Sequence, residues 1–146
     1  MTKLQEQFEK DFPNKGEKII NASHMYYNWD FTSHRLDLRE YKNLEKFFLI
    51  CGDITSINVS ECKKLDVLYL ADNQLTSVDF LNQLPNPEKL EDLHINSNNI
   101  QTTDISIFSK FVNLKTLKIG SLKNDLKQSK HNQFYGSFKS WKTWKN

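Results

Sequence analysis

The side chains of this sequence that could do chemistry are few and scattered. None of its cysteines or histidines has the close spacing that holds a metal ion; they are Cys51, Cys62, His24, His34, His94 and His131. Gly occurs only 4 times, which excludes a glycine-rich nucleotide cradle, and no Gly-x-Ser-x-Gly elbow is present. We therefore expect no enzyme activity, no metal and no cofactor, and we expect both cysteines to be structural or inert.

A repeated apolar pattern is the strongest signal in the chain. The stretch LDVLYLADNQL, residues 65–75, is apolar at its first, fourth, sixth and last positions and has Asn at its ninth. The same pattern recurs in LEDLHINSNNI from Leu90 and in LEKFFLICGDI from Leu44, where Gly52 replaces Asn. A fourth copy, LKTLKIGSLKN from Leu114, loses both the Asn and the last apolar residue.

This pattern predicts a short strand followed by a return segment, stacked on its neighbours. The copies begin at residues 44, 65, 90 and 114, in steps of 21, 25 and 24 residues. Units of roughly 20 to 29 residues with one strand each are typical of leucine-rich repeats. We expect Asn73 and Asn98 to form a structural ladder, in which each side chain turns inward and bonds backbone groups that are otherwise unpaired.

The chain resembles leucine-rich-repeat proteins. Residues 84–120, with DFPNK at 11–15, LDLREYKNLEKF at 36–47 and FYGSFKS at 134–140, resemble the large intracellular leucine-rich-repeat families of arbuscular mycorrhizal fungi. The resemblance implies an α/β fold: a short right-handed horseshoe solenoid with a parallel β-sheet on its concave face and short helices or loops on its convex face. It says little about activity, because fold does not imply function.

We expect one domain over residues 1–146. Residues 1–43 are predicted to hold a capping helix, with Thr2 as its cap and Pro13 as its stop, and then a degenerate first coil. In that coil the residues with core character are Trp29, Phe31, Leu36 and Leu38. Residues 44–120 hold four repeats, and residues 121–146 hold a polar loop and a C-terminal cap.

The predicted C-terminal cap is basic and aromatic. Residues 121–146 contain six lysines and one acidic residue, Asp125. Phe138, Trp141 and Trp144 recur every third residue, and we expect them to fold over Leu117 and Ile119 as an improvised cap. The alternative is a truncated repeat with an exposed aromatic face, which would pair end to end with a second copy. We expect a monomer rather than that dimer.

Function is predicted on the concave sheet. Side chains alternate along a strand, so the residues between the core positions are predicted to face outward. They form three columns, which read Phe48, Tyr69, His94, Lys118; Lys46, Val67, Asp92, Thr116; and Ile50, Ala71, Asn96, Gly120. The predicted partner-binding residues on this face are Phe48, Ile50, Tyr69, Asp92, His94 and Lys118. Exposed Phe48 and Ile50 beside Tyr69 form a candidate anchor patch for a protein partner of unknown identity. The other interpretation of these columns is a solvated sheet surface with no partner.

A second hypothesis uses the C-terminal segment. Lysines interleaved with aromatics in FYGSFKSWKTWK are suited to single-stranded nucleic acid or an acidic membrane surface. The simpler interpretation is a cap with solvated lysines, so we do not expect nucleic acid as the partner. No apolar stretch is long enough to span a membrane, and the charged N-terminus has no signal-peptide core. We expect a cytoplasmic protein.

Overall fold

The computed structural model describes residues 1–26, 33–120 and 132–136. Helix α1 spans Lys3–Asp11, and the Thr2 hydroxyl caps it by accepting a hydrogen bond from the Gln5 N–H at 3.1 Å. Leu4 and Phe8 on its apolar stripe are fully buried. The ring of Phe8 lies 5.5 Å from that of Tyr41. The helix thus packs against the core, as its spacing of apolar residues predicts.

Short parallel strands follow the helix. They are β1 (Ile19–Asn21), β2 (Arg35–Asp37), β3 (Lys46–Phe48), β4 (Ser56–Asn58), β5 (Val67–Tyr69), β6 (Asp92–His94), β7 (Thr103–Asp104), β8 (Thr116–Lys118) and β9 (Phe134–Tyr135). Strands β1, β3, β5, β6 and β8 form one five-stranded sheet in that order, which we call the main sheet. Each of its strands is separated from the next by one return segment. This is the arrangement that stacked repeats require.

The core lies on one face of the main sheet. The register aligns Phe47, Leu68, Leu93 and Leu117 across four neighbouring strands. The first three are fully buried, whereas Leu117, on the last strand of the sheet, is only partly buried. Side chains along a strand alternate between its two faces. The apolar positions of the motif therefore all enter one continuous core.

The return segments differ between repeats. Strands β2 and β4 pair in parallel, and β7 pairs with β9. The two later return segments contain short 3₁₀ helices at Asp79–Gln83, Pro87–Lys89 and Ile105–Lys110, the last of which directly follows β7. These helices bury Phe80, Leu81, Ile105 and Phe108. Helical turns that pack apolar residues inward are what the sequence of these two segments predicts.

The edge of β2 is closed by the side chain of Gln5. Its amide oxygen accepts from the Asp37 N–H at 2.8 Å, and its amide nitrogen donates to the Asp37 C=O at 2.9 Å. A primary amide carries the same donor and acceptor as a peptide group, so Gln5 replaces one residue of a missing neighbouring strand. Helix α1 therefore satisfies the backbone of β2 as well as packing on the core.

The two predicted ladder asparagines are buried and fully bonded. The oxygen of Asn73 accepts from the N–H groups of Gly52 at 3.0 Å and Ile54 at 3.2 Å, and its nitrogen donates to the Leu49 C=O at 2.6 Å. Asn98 bonds the next turn in the same way, accepting from the Leu75 N–H at 3.0 Å. These side chains tie each repeat to the one before it.

The fourth motif copy also has its asparagine, which corrects the expectation that this residue is lost. Asn132 donates to the C=O groups of Ile95 at 2.7 Å and Ile119 at 3.0 Å, and it accepts from the Ile100 N–H at 3.1 Å. These bonds reproduce those of Asn98 one repeat further along. Phe134, two residues later, packs against the core at the position of the last apolar residue of the motif. The pattern is thus interrupted by ten extra residues and then resumes.

Several predicted features fall outside the described residues. Trp29 and Phe31 of the first coil are among them, as are Phe138, Trp141 and Trp144 of the predicted cap. Residues 137–145 of the basic segment in the second functional hypothesis also lie there, whereas its first three residues are described. The right-handed horseshoe shape stays a prediction.

Candidate functional site: the outward face of the main sheet

The register of the main sheet places one residue of each strand in a single outward row. Phe48 is aligned with Tyr69, Tyr69 with His94, and His94 with Lys118. The same register adds Asn21 beside Phe48. We call these five residues the central row. Sequence reasoning placed four of them together and missed Asn21, because the register of residues 19–43 was ambiguous.

Three aromatic rings of the central row contact one another. The rings of Phe48 and Tyr69 meet edge to face, with centroids 4.9 Å apart and an interplanar angle of 87°. The rings of Tyr69 and His94 are stacked, with centroids 3.7 Å apart and an interplanar angle of 8°. Strands lie about 4.8 Å apart, so aromatic residues at aligned positions come into contact. The three side chains therefore form one continuous aromatic strip.

The strip is less exposed than the sequence suggests. Phe48, Ile50 and Tyr69 are half-buried instead of exposed. Val67 and Ala71, also assigned to the outward face, are buried, with exposures of 7% and 6%. Val67 is aligned with the longer side chains of Lys46 and Asp92 on the two neighbouring strands. The apolar part of the face is thus a shallow surface with raised aromatic rings.

Charged residues surround the strip unevenly. Lys46, two residues before Phe48, forms a salt bridge with Asp66 at 3.1 Å, so its positive charge already has a partner. Asp92 and Lys118, on the other side of Tyr69, form no salt bridge within the described part of the chain. His94 is therefore flanked by two charges of opposite sign that have no salt-bridge partner among the described residues.

His94 is held in its neutral form. Burial and the nearby Lys118 ammonium lower the pKa of His94 below its usual value, while Asp92 opposes this shift. The Nε2 atom of His94 is shielded from solvent and has no hydrogen-bond partner among the residues described. A proton on that nitrogen would lack an acceptor among the described residues. Burial, followed by the charge of Asp92, raises the pKa of Tyr69, so its hydroxyl is protonated at neutral pH.

A row of ion pairs precedes the strands of the main sheet, and sequence reasoning missed it. Salt bridges join Lys18 to Glu45 at 3.4 Å and Lys115 to Glu91 at 2.7 Å. These residues stand directly before their strands, so the opposite charges that neighbouring copies carry at that motif position are the signal that could have revealed the pairs. Exposed pairs of this kind contribute little to stability.

Within residues 1–26, 33–120 and 132–136, no group of three or more His, Cys, Asp or Glu side chains could hold a metal ion. Cys51 and Cys62 are not joined by a disulfide, and burial raises the pKa of Cys62 to about 12. A buried thiol with so high a pKa is a poor nucleophile. No helix in the described part of the chain is long and apolar enough to cross a membrane.

Comparison with known families identifies the repeats. Residues 63–103 match the family model for leucine-rich repeats (2 copies). The match includes strands β5 and β6 together with Asn73 and Asn98. No curated protein and no solved structure matches the chain. The chain therefore carries leucine-rich repeats over this segment, and such repeats generally act as non-catalytic modules for protein–protein interaction.

Proposed function

We propose that this chain is a non-catalytic interaction module that binds a protein partner on the outward, concave face of the main sheet. The contact residues are Phe48, Ile50, Tyr69, Asp92, His94 and Lys118. The observation that carries the proposal is the strip of three touching rings next to two charges that form no salt bridge with any described residue. Aromatic residues are enriched at the centres of interfaces, and partly exposed rings of this kind supply large contact areas.

The chemistry of the face suggests how the partner is oriented. The Phe48 end offers apolar contact through the half-buried side chains of Phe48 and Ile50. The other end offers the carboxylate of Asp92 and the ammonium of Lys118. A partner with an apolar side chain over Phe48 and with charges complementary to the other end would satisfy both halves. The resemblance to fungal families and a cytoplasmic location stay predictions.

The test is affinity capture from the native source, comparing the wild type with a Phe48→Ala, Tyr69→Ala double variant. We expect the double variant to lose the partner. Both rings are half-buried and in contact, so we also expect a loss of stability of about 1 kcal/mol or more. Each variant therefore needs a denaturation curve that shows it is folded at the capture temperature.

Two further variants separate binding from folding. Lys118→Glu changes an exposed residue without a salt bridge, so stability should change by less than about 0.5 kcal/mol while the partner is lost. Tyr135→Ala removes an aromatic ring that is 55% exposed on β9, outside the main sheet, and should leave capture unchanged. Equal recovery of the partner by the wild type and Lys118→Glu would contradict this orientation. Equal recovery by the double variant would refute the proposed function.

A further inference from the structure

Strand β1 is the first strand of the main sheet, and its outer edge has no hydrogen-bonding partner among the residues that the structure describes. The Ala22 N–H donates to the Phe48 C=O at 2.8 Å, and the Lys46 N–H donates to the Lys18 C=O at 2.9 Å. In a parallel pair, residues of one strand alternate between bonding the neighbour and facing away. The N–H and C=O groups of Ile19 and Asn21 therefore point away from β3, at the open side of β1.

The comparable edge of β2 is closed. There the Gln5 amide bonds both the N–H and the C=O of Asp37. The two edges lie at the same end of the repeat stack, because β1 and β2 belong to its first turn. The chain thus supplies a peptide-like group to one edge and, within its described residues, none to the other.

Apolar side chains flank the open edge. Ile19 is 56% exposed and Met25 is 39% exposed, and both are among the most exposed large apolar residues described. Asn21, between them, is the first residue of the central row. A strand added at this edge would cover Ile19 and would extend the outward face by one more row.

We propose that the open edge of β1 is a second binding site, which takes an extended segment of a protein partner as an additional strand. The segment bonds the N–H and C=O groups of Ile19 and Asn21, and it places an apolar side chain against Ile19 or Met25. Strand addition is an established way for proteins to bind peptides, in which backbone bonds supply affinity and side-chain contacts supply selectivity. A second copy of this chain fits less well. An edge of three residues contributes little of the roughly 1,200 to 2,000 Å² that a stable protein interface buries.

One substitution isolates the backbone group that this site needs. Asn21→Pro removes an N–H that the β1–β3 ladder does not use, and proline is tolerated on an edge strand when its N–H would face solvent. Asn21→Ala is the matched control. Both variants lose the bond from the Ser23 N–H to the Asn21 side chain, but Asn21→Ala keeps the backbone N–H.

The probe is a displayed library of random eight-residue peptides, selected against the wild-type protein. We expect selected peptides to bind Asn21→Pro at least about tenfold more weakly, because one bond is lost and the proline ring obstructs the edge. Binding to Asn21→Ala should stay within about threefold, since the missing bond lies within the protein. By NMR, the Asn21 amide should exchange quickly in the free protein and slowly with peptide bound. If Asn21→Pro does not fold, this exchange measurement on the wild type decides the question.

Several outcomes would overturn the site. A slowly exchanging Asn21 amide in the free protein would mean that the edge is already occupied. Selection without any binder, or peptides that bind Asn21→Pro as well as the wild type, would also refute it. Peptides that fail only on the Phe48→Ala, Tyr69→Ala double variant would support the proposed partner face and reject strand addition. Capture of the native partner is a separate measurement, so the two proposals fail independently.

Discussion

Replacing Asn73 by alanine tests the interior of the repeats most directly. Asn73 is fully buried and bonds five backbone groups. Two of them are the N–H groups of Gly52 and Ile54, which belong to the preceding repeat. Alanine offers these donors no acceptor.

The expected loss follows from these two donors. An unsatisfied buried polar group costs about 1 to 3 kcal/mol, so two donors cost about 2 to 6 kcal/mol, and partial relaxation favours the lower half of that range. The Gly52 turn has limited freedom to relax. A Cβ at residue 52 would lie 2.6 Å from Cδ1 of Leu49 and 3.2 Å from the side-chain oxygen of Asn73. We therefore expect about 3 kcal/mol for Asn73→Ala.

Urea denaturation at 25 °C, followed by circular dichroism, measures this loss. With a slope of about 1 to 3 kcal/mol per molar urea, a loss of 3 kcal/mol lowers the midpoint by about 1 to 3 M. Gln74→Ala is the control, because that side chain is only partly buried and makes one long contact, 3.4 Å to Asp53. It should change stability by less than about 0.5 kcal/mol. Equal midpoints for the two variants would refute the ladder.

The remaining predictions use the same assay or NMR. Asn132→Ala should cost about 1 to 3 kcal/mol because one shielded donor loses its acceptor, and a silent change would contradict its place in the ladder. Leu68→Ala should cost about 2 to 5 kcal/mol in transfer and cavity terms, since Leu68 is fully buried. Gln5→Ala should destabilise the protein by more than Gln5→Glu does at pH 3, where a protonated carboxyl can still pair the β2 edge. The lowered pKa of His94 means that the unfolded chain binds its proton more readily. Stability should therefore fall as the pH drops below about 6.5, and Lys118→Ala should raise the NMR-measured pKa of His94.

The motif predicts the interior positions well because it is a local pattern with a physical cause. Leucines at its first, fourth and sixth positions alternate across a strand, and only one face of that strand can be buried. This reasoning placed Leu68, Leu93, Asn73 and Asn98 in the core, where the structure has them. It also aligned Tyr69 with its neighbours, since register is fixed once one face is buried.

Features that depend on contacts distant in sequence were not predicted. Asn132 stands eighteen residues after Leu114 instead of eight, so a fixed spacing cannot find it. Gln5 pairs with Asp37, 32 residues away, and nothing in the sequence of α1 distinguishes it from the other polar residues of the helix. The burial of Val67 is likewise set by neighbours on other strands. In each case the missing information is which segments meet in three dimensions.

The outward face of the main sheet can be assigned a binding role because other residues fill the core and bond the buried backbone. Buried apolar residues fill the core, and the ladder asparagines bond the turns, so the fold places no demand on the central row beyond strand formation. Charged or small polar residues would satisfy that demand at an exposed position. The row instead carries three touching rings, which keep apolar area half exposed to water. Because removing those rings also costs packing energy, loss of binding in Phe48→Ala or Tyr69→Ala cannot alone establish an interface. Loss of binding in Lys118→Glu would establish the interface, since this residue contributes almost nothing to the fold and adjoins the same strip.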